Sequence, residues 1–247
     1  MENFQFLAKK SWYKTWWGVT IIVASCLFLS FSLAVGLLTW RYKQLINQGY
    51  GEDLKKNIFG QMQVDPQMAL ARAELEIAER PYLGNQDAEI VIVEFVDFKC
   101  PVCKEQDPIL RQAISKYGQK IKLILRNFPI ESLHPGASKL ADLAFCANEQ
   151  GAYWLAHDYL FAQQANLTQN LTADNINAFI KEIGLDSKKF NTCLVADKTK
   201  TEVNRDYATG YKYGIAGTPT FFINGYKTQG NIPSDTWEKI INVALNP

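Results

Sequence analysis

Histidine is scarce in this chain of 247 residues, which carries only His134 and His157. Of its five cysteines, a single pair, Cys100 and Cys103, has the C-x-x-C spacing. A zinc centre built on that pair needs further ligands, and no second C-x-x-C follows to supply them. The two histidines are too isolated to form a catalytic pair, and His157 is expected to pack or hydrogen-bond within its own helix. An excess of either charge is also missing. Lysine and arginine total 26 against 25 acids, a formal net charge of +1. That balance excludes the basic field of a nucleic-acid binder and the charged excess of a disordered tail. No internal repeat or low-complexity segment occurs. What is present is apolar matter, 47% hydrophobic residues with 13% aromatics, enough for a packed core and something besides.

Much of it lies near the start. Gly18 to Trp40 is an uncharged run. As a helix of about 23 residues it would span about 35 Å, enough to cross a bilayer. Trp12, Tyr13, Trp16 and Trp17 flank one end and Trp40 and Tyr42 the other, as amphipathic rings do at membrane interfaces. A cleaved signal has a shorter apolar core of about 7–15 residues and a small-residue cleavage site, which is not evident here. Val23-Ala24-Ser25-Cys26 superficially resembles a lipoprotein processing site, but the apolar run continues through Leu38. The expectation is an uncleaved anchor in the lipid bilayer over 18–40, with 1–17 a short N-terminal segment and 41–80 a helical stalk. Lys9, Lys10 and Lys14 precede the span and Arg41, Lys43, Lys55 and Lys56 follow it, so local charge does not fix its orientation.

Within the stalk, Asp65-Pro66 reads as an N-cap before a proline at the first helical position, with helix formers from Ala69 to Arg80 and a stop at Pro81 and Gly84. Ile90 to Phe95 is a β-branched run suited to a buried strand, and Ile121 to Leu125 gives another. A helix should begin at Pro101 and continue through Ile109, Leu110, Ala113 and Ile114. Helical patterns then cover 137–149, 153–161, a stretch with Ile176, Phe179, Ile180 and Ile183 on one face, 187–196 and 198–213. Thr220 to Ile223 returns to strand, Asn224-Gly225 is a two-residue hairpin turn, and Tyr226 to Gln229 is its partner. Trp237, Ile240, Ile241 and Ala244 make the apolar face of a last helix. The order predicts one α/β domain over 81–247 interrupted by a helical insertion at about 133–200.

The position of Cys100 turns an ambiguous motif into a chemical one. It follows a strand and precedes a helix, where unpaired N–H groups and the positive dipole end stabilise a thiolate. Pro101 costs no hydrogen bond there. One turn on, Cys103 is close enough to bridge. Cys100 would then be the exposed nucleophile, and Cys103 would resolve the mixed disulfide. Zinc and a purely structural disulfide remain the alternatives, the latter stabilising little because the loop is short.

Two segments resemble those of DsbA-like proteins. Glu94-Phe95-Val96-Asp97-Phe98-Lys99-Cys100-Pro101-Val102-Cys103 is similar to their active-site segment, and Gly217-Thr218-Pro219-Thr220-Phe221-Phe222-Ile223-Asn224-Gly225 to their second signature. Arg126-Asn127-Phe128-Pro129, His134-Pro135 and Asn148-Glu149-Gln150-Gly151 are similar to intervening segments. The resemblance covers roughly residues 80–247. It implies a thioredoxin-like fold with a helical insertion, and a cis peptide bond before Pro219, which would lie against the redox pair. Thr218 would tune the neighbouring sulfur, and the loop would offer backbone groups to an extended client. Glu94 matches a buried acid that would relay protons for Cys103. Cys146 and Cys193 would form a second, structural disulfide, which points to an oxidising compartment. One departure stands out: Pro-Val separates the cysteines where the strong oxidants of the family have Pro-His. Valine offers no hydrogen bond or charge to the Cys100 thiolate, so a less oxidising potential is expected, with Lys99 a partial compensation.

The activity implied is protein thiol–disulfide exchange without a cofactor or metal. The partners would be client proteins with reduced cysteines and a quinone-linked membrane redox partner, with the catalytic domain outside the cytoplasm. A reductase or isomerase on the same fold is the near alternative. A non-enzymatic client- or metal-binding module is the distant one.

Overall fold

The structure is a computed structural model and describes residues 16–58, 66–167 and 171–246. Lys9, Lys10, Trp12, Tyr13, Lys14 and the capping residue Asp65 lie outside the described residues. The chain divides into two compact units, residues 1–54 and 55–247.

The first unit is dominated by α1 (Trp16–Ile58), a helix whose Val19–Arg41 stretch is long and apolar enough to cross a membrane. None of that stretch is buried among the described residues; Phe28, for instance, is 71% exposed. A helix that is apolar on every side needs an apolar surround, and a lipid bilayer supplies one. Cys26 lies exposed on this helix.

The second unit is built on a five-stranded sheet in the order β1-β3-β2-β4-β5. Its strands are β1 (Tyr82–Gly84), β2 (Ile90–Val96), β3 (Ile121–Asn127), β4 (Thr220–Ile223) and β5 (Tyr226–Gln229). β2 and β3 run parallel, while the other pairs are antiparallel. The central strand β2 is buried on both faces, which explains its unbroken β-branched sequence. Val91, Val93 and Phe95 pack on one face with Leu75, Phe128, Ile215 and Phe222. Ile92, Glu94 and Val96 fall on the other by strand alternation. Beside β4, the Trp237 ring meets Phe221 edge-on at 5.0 Å.

Helices fall almost where their patterns place them: α2 (Pro66–Leu75), α3 (Pro101–Tyr117), α4 (Ala137–Asn148), α5 (Tyr153–Ala162), α6 (Ala173–Glu182), α7 (Ser187–Val195), α8 (Asp197–Lys212) and α9 (Ser234–Leu245). The hairpin turn is as its sequence predicts, with Asn224 and Gly225 both at positive φ (47° and 92°). The Asn224 side chain also accepts the Val91 N–H at 2.8 Å, tying the turn to the start of β2.

Two boundaries differ from expectation, each for a tertiary reason. α2 stops at Leu75 instead of reaching Arg80, because Arg80 turns inward to pair with Asp206 at 2.8 Å. The next residues form β1, an edge strand too short to show any period. The last helix between β3 and β4 ends at Lys212, in keeping with its pattern over 198–213. The second half of α8 lies against the sheet, with Asp206 bonded to Arg126 of β3 and Tyr207 stacked on Phe128 at 4.5 Å.

Candidate active site

β2 delivers the chain into a tight turn before α3. The Cys100 N–H bonds the Asp97 carbonyl at 3.0 Å, and the Asp97 carboxylate accepts the Lys99 N–H at 2.8 Å. The same buried carboxylate accepts the Ile130 N–H at 2.9 Å and faces His134 Nδ1 at 2.8 Å. Asp97 therefore fastens the turn to the loop between β3 and α4.

Cys100 is the N-cap of α3, yet no side chain caps that helix, and Pro101 follows at once. The sulfur takes the place of the missing cap oxygen, since the Val102 and Cys103 N–H groups point at it. Its thiol is pulled down to about 5, first by a hydrogen bond from Cys103, then by Thr218 and those backbone groups, against the opposing effect of burial. Cys103 moves the other way. Burial, the adjoining Cys100 and the nearby Glu94 push its thiol well above the ordinary value. Both thiols are free in this structure.

Cys100 is less open than its sequence position suggests, at 5% exposure, while Cys103 has none. The cover comes from a loop remote in sequence. Thr218 and Pro219 are joined by a cis peptide bond, and the Cys100 thiol donates to the Thr218 carbonyl at 3.3 Å. The Thr218 hydroxyl is buried with no hydrogen-bond partner among the described residues, so it can turn toward the sulfur. The Thr220 hydroxyl closes the loop on the Gly217 carbonyl at 2.7 Å, and the Pro219 carbonyl accepts the Gly230 N–H at 2.9 Å.

Glu94 lies within the sheet, opposite Leu125 on one side and Phe221 on the other. Burial in that apolar surround pushes its carboxyl up to about 8, with Asp107 adding to the rise and Arg111 opposing it. The acid is therefore protonated at neutral pH, near the thiol whose pKa it helps raise.

Cys146 of α4 and Cys193 of α7 form a disulfide, with Cα atoms 5.7 Å apart. They belong to the same apolar cluster as Cys100 and Cys103, together with Phe98, Phe161, Phe179 and Phe190. The packing around the Cys146–Cys193 disulfide and the packing under Cys100 and Cys103 are continuous.

The Lys99 ammonium is held by the Pro135 carbonyl at 3.0 Å, while the groups that pull the Cys100 thiol down most are Cys103, Thr218 and backbone N–H groups. His157 is buried, but it reaches beyond its own helix. Asp107, His157 and Asp158 bring three potential ligand groups together. The Arg111 guanidinium occupies that position, with bonds to Asp107 and His157 at 2.9 Å and a third to Asp158. A cation is thus already built into the cluster.

Two contributors escaped the sequence reading. Asp97 gave only the signal of an acidic residue three positions before the pair. Gln164, just past α5, gave none, although its side-chain amide donates to the Phe98 and Cys100 carbonyls at 2.9 and 3.0 Å.

A thioredoxin family model matches residues 77–243. The Na(+)/H(+) antiporter NhaA 3 of Salinispora tropica is 31% identical over 147 residues, 60% of this chain but 22% of that protein. The chain thus spans about a fifth of the first curated relatives it matches. A probable disulfide bond formation protein D of Bacillus cereus is 28% identical over 170 residues, 66% of this chain and 77% of the relative. Among solved structures, the thiol-disulfide exchange protein alpha-DsbA2 of Wolbachia pipientis has a TM-score of 0.58 at 24% identity, over 72% of this chain and 94% of that one. The catalytic domain of Proteus mirabilis ScsC has a TM-score of 0.61 at 22% identity, over 73% and 98%. At these identities the structures establish a shared fold.

Proposed function

Because the chain belongs to the thioredoxin family, we propose that it is an extracytoplasmic protein thiol–disulfide oxidoreductase that donates the Cys100–Cys103 disulfide to reduced cysteines of secreted or membrane proteins. The observation that carries this reading is the opposite displacement of the two thiols, Cys100 down to about 5 and Cys103 well above the ordinary value. A stabilised Cys100 thiolate stabilises the reduced pair, and a stable reduced form makes the disulfide an oxidant. The printed name of the Bacillus relative, a disulfide bond formation protein, points the same way.

The chemistry follows from the geometry. A client thiolate attacks Cys100 of the oxidised pair, and the bond to Cys103 breaks. Cys103 is a poor leaving group as a thiolate, and Glu94, protonated at neutral pH, can supply its proton. A second client thiolate attacks the client sulfur of the mixed disulfide. Cys100 then leaves as the stable thiolate. The client gains a disulfide and the protein holds two electrons, which a quinone-linked membrane partner would accept. Thr218 and Pro219 frame the client where it meets Cys100.

In this reading α1 anchors the chain in the lipid bilayer through residues 18–40, with 1–17 in the cytoplasm. The second disulfide, Cys146–Cys193, suits an oxidising compartment outside it.

Acid-quenched alkylation of native membranes tests the direction of transfer, with Cys146 and Cys193 both replaced to isolate the signal. A donor keeps Cys100 and Cys103 predominantly oxidised. A predominantly reduced pair would overturn the donor assignment and make the protein a reductase or isomerase on the same fold.

A further inference from the structure

We propose that Gln164 is a positioning residue for the redox pair, through which the helical insertion sets how strongly Cys100 holds its thiolate. The inference rests on the oxidoreductase reading and adds a residue to its machinery.

Four observations meet at this side chain. Gln164 stands just beyond the end of α5, in a turn closed by the Asn166 and Leu167 N–H groups bonding to the Gln163 carbonyl. Its amide nitrogen donates to two carbonyls, those of Phe98 and Cys100. That pairing fixes the orientation of the amide, because only its NH2 group can serve two acceptors. Phe161, one turn earlier, packs on the Phe98 ring at 5.2 Å, so α5 grips the turn by ring and amide together. Lastly, the Cys100 carbonyl already accepts the Lys104 N–H at 3.3 Å, the first bond of α3, and Gln164 is its second donor.

The electrostatic consequence is direct. The Phe98 and Cys100 carbonyls place negative partial charge on either side of the residue that must carry a thiolate. The amide hydrogens of Gln164 offset that charge and fix the turn that aims the Val102 and Cys103 N–H groups at the sulfur. Without the amide, the carbonyls face the thiolate uncompensated and the turn can rotate. The thiolate weakens, and with it the oxidising power of the pair. The other groups around the sulfur come from other elements: Cys103 on α3, Glu94 on β2, Thr218 before β4, Asp97 and Lys99 in the turn, and His134 in the loop after β3. None of them is carried by the segment of Gln164, so a change at position 164 alters the chemistry of no other one of these side chains.

The test uses the full chain in detergent with Cys26→Ser, comparing the parent with Gln164→Met and Gln164→Glu. Both replacements keep the length of the side chain; the first removes the donors and the second puts a carboxylate against the two carbonyls. Ultraviolet thiolate absorbance is followed against pH, and the pair is equilibrated with glutathione. The Cys100 midpoint is expected to rise by about half a unit in Gln164→Met, roughly a threefold loss of thiolate below the midpoint, and further in Gln164→Glu. The glutathione equilibrium should move toward the oxidised pair by about the same factor. If both variants titrate and equilibrate like the parent, whatever happens to their melting temperatures, the contact is structural and the proposal is wrong. Should Gln164→Met fail to fold, the polar, isosteric Gln164→Glu decides alone. A parent that does not exchange with glutathione would instead sink the oxidoreductase reading, and the absorbance titration would still decide the role of Gln164.

Discussion

At the scale of single residues, the site works by giving two identical side chains different environments. Cys100 sits among N–H donors and Cys103 sits in apolar packing, so one thiol ionises readily and the other does not. Cys100→Ser should abolish exchange with a reduced model peptide while leaving the fold intact, whereas a client-binding module would keep its function. The buried Glu94 makes a distinct forecast through its pH dependence. Its folded pKa, about 8, lies above the 4.5 of the free carboxyl. The folded state therefore holds a proton that the unfolded chain has released, and stability falls as pH rises from 4.5 toward 8. Glu94→Gln removes this pH-dependent loss. Urea unfolding should show the variant gaining on the order of 3 kcal/mol over the parent at pH 7 and almost nothing near pH 4. A stability difference that does not change with pH would mean that Glu94 is not buried as an acid. Val102 bears on the other thiol. Val102→His adds a donor beside Cys100 and should raise the reduction potential by about 30 mV for each tenfold shift in the glutathione equilibrium. No shift would mean that the residue between the cysteines does not set the potential in this chain.

At the scale of elements, remote segments converge on the sheet through two kinds of fastening. Asp206 of α8 holds Arg126 of β3 and Arg80 before β1, each at 2.8 Å, and it also accepts the Asn127 N–H at 3.1 Å. All three side chains are nearly inaccessible. Removing the acid leaves the buried Arg126 without a carboxylate partner among the described residues, while Arg80 keeps only Glu202 at 2.9 Å. Asp206→Asn is expected to cost about 3–5 kcal/mol in urea unfolding, far more than losing a surface pair such as Lys239–Asp235. The second fastening is covalent. The Cys146–Cys193 bridge joins residues 47 apart, and in the chain-entropy model closing such a loop contributes about 4 kcal/mol. Replacing both cysteines with alanine should lower the unfolding midpoint accordingly. Because both cysteine pairs share one apolar cluster, the same variant should also speed hydrogen exchange in α4 and α7. Unchanged stability would mean that packing alone holds those helices.

At the scale of the whole molecule, the chain joins an apolar helix, exposed among the described residues, to a unit that belongs to the thioredoxin family. The full protein should remain in membranes through alkaline carbonate extraction. Replacing three of the apolar residues between Val19 and Leu38 with aspartate should release it, because charges at the centre of a span are costly in hydrocarbon. Release of the parent by carbonate would remove the anchor from the reading. Accessibility of the second unit to an impermeant lysine reagent in intact cells should place it outside the cytoplasm, and protection would place it inside.

The local signals were strong where the chemistry is local. The β-branched run of β2, the Asn-Gly turn and the cysteine pair between a strand and a helix are all properties of neighbouring residues, and neighbours are what a sequence displays. The apolar length of α1 is legible for the same reason. The end of α2, the short β1 and the cover over Cys100 could not be read that way. Each depends on a partner far along the chain: Asp206 for Arg80, β3 for β1, and Thr218 for the thiol. Asp97 and Gln164 belong with them, since an acid or an amide has no role until folding brings the groups it bonds within reach. The sequence by itself determined the scaffold and singled out Cys100 and Cys103 as the C-x-x-C pair between a strand and a helix. Only the tertiary structure decided how differently those sulfurs hold their protons, because that difference comes from burial and from dipoles assembled out of separate segments.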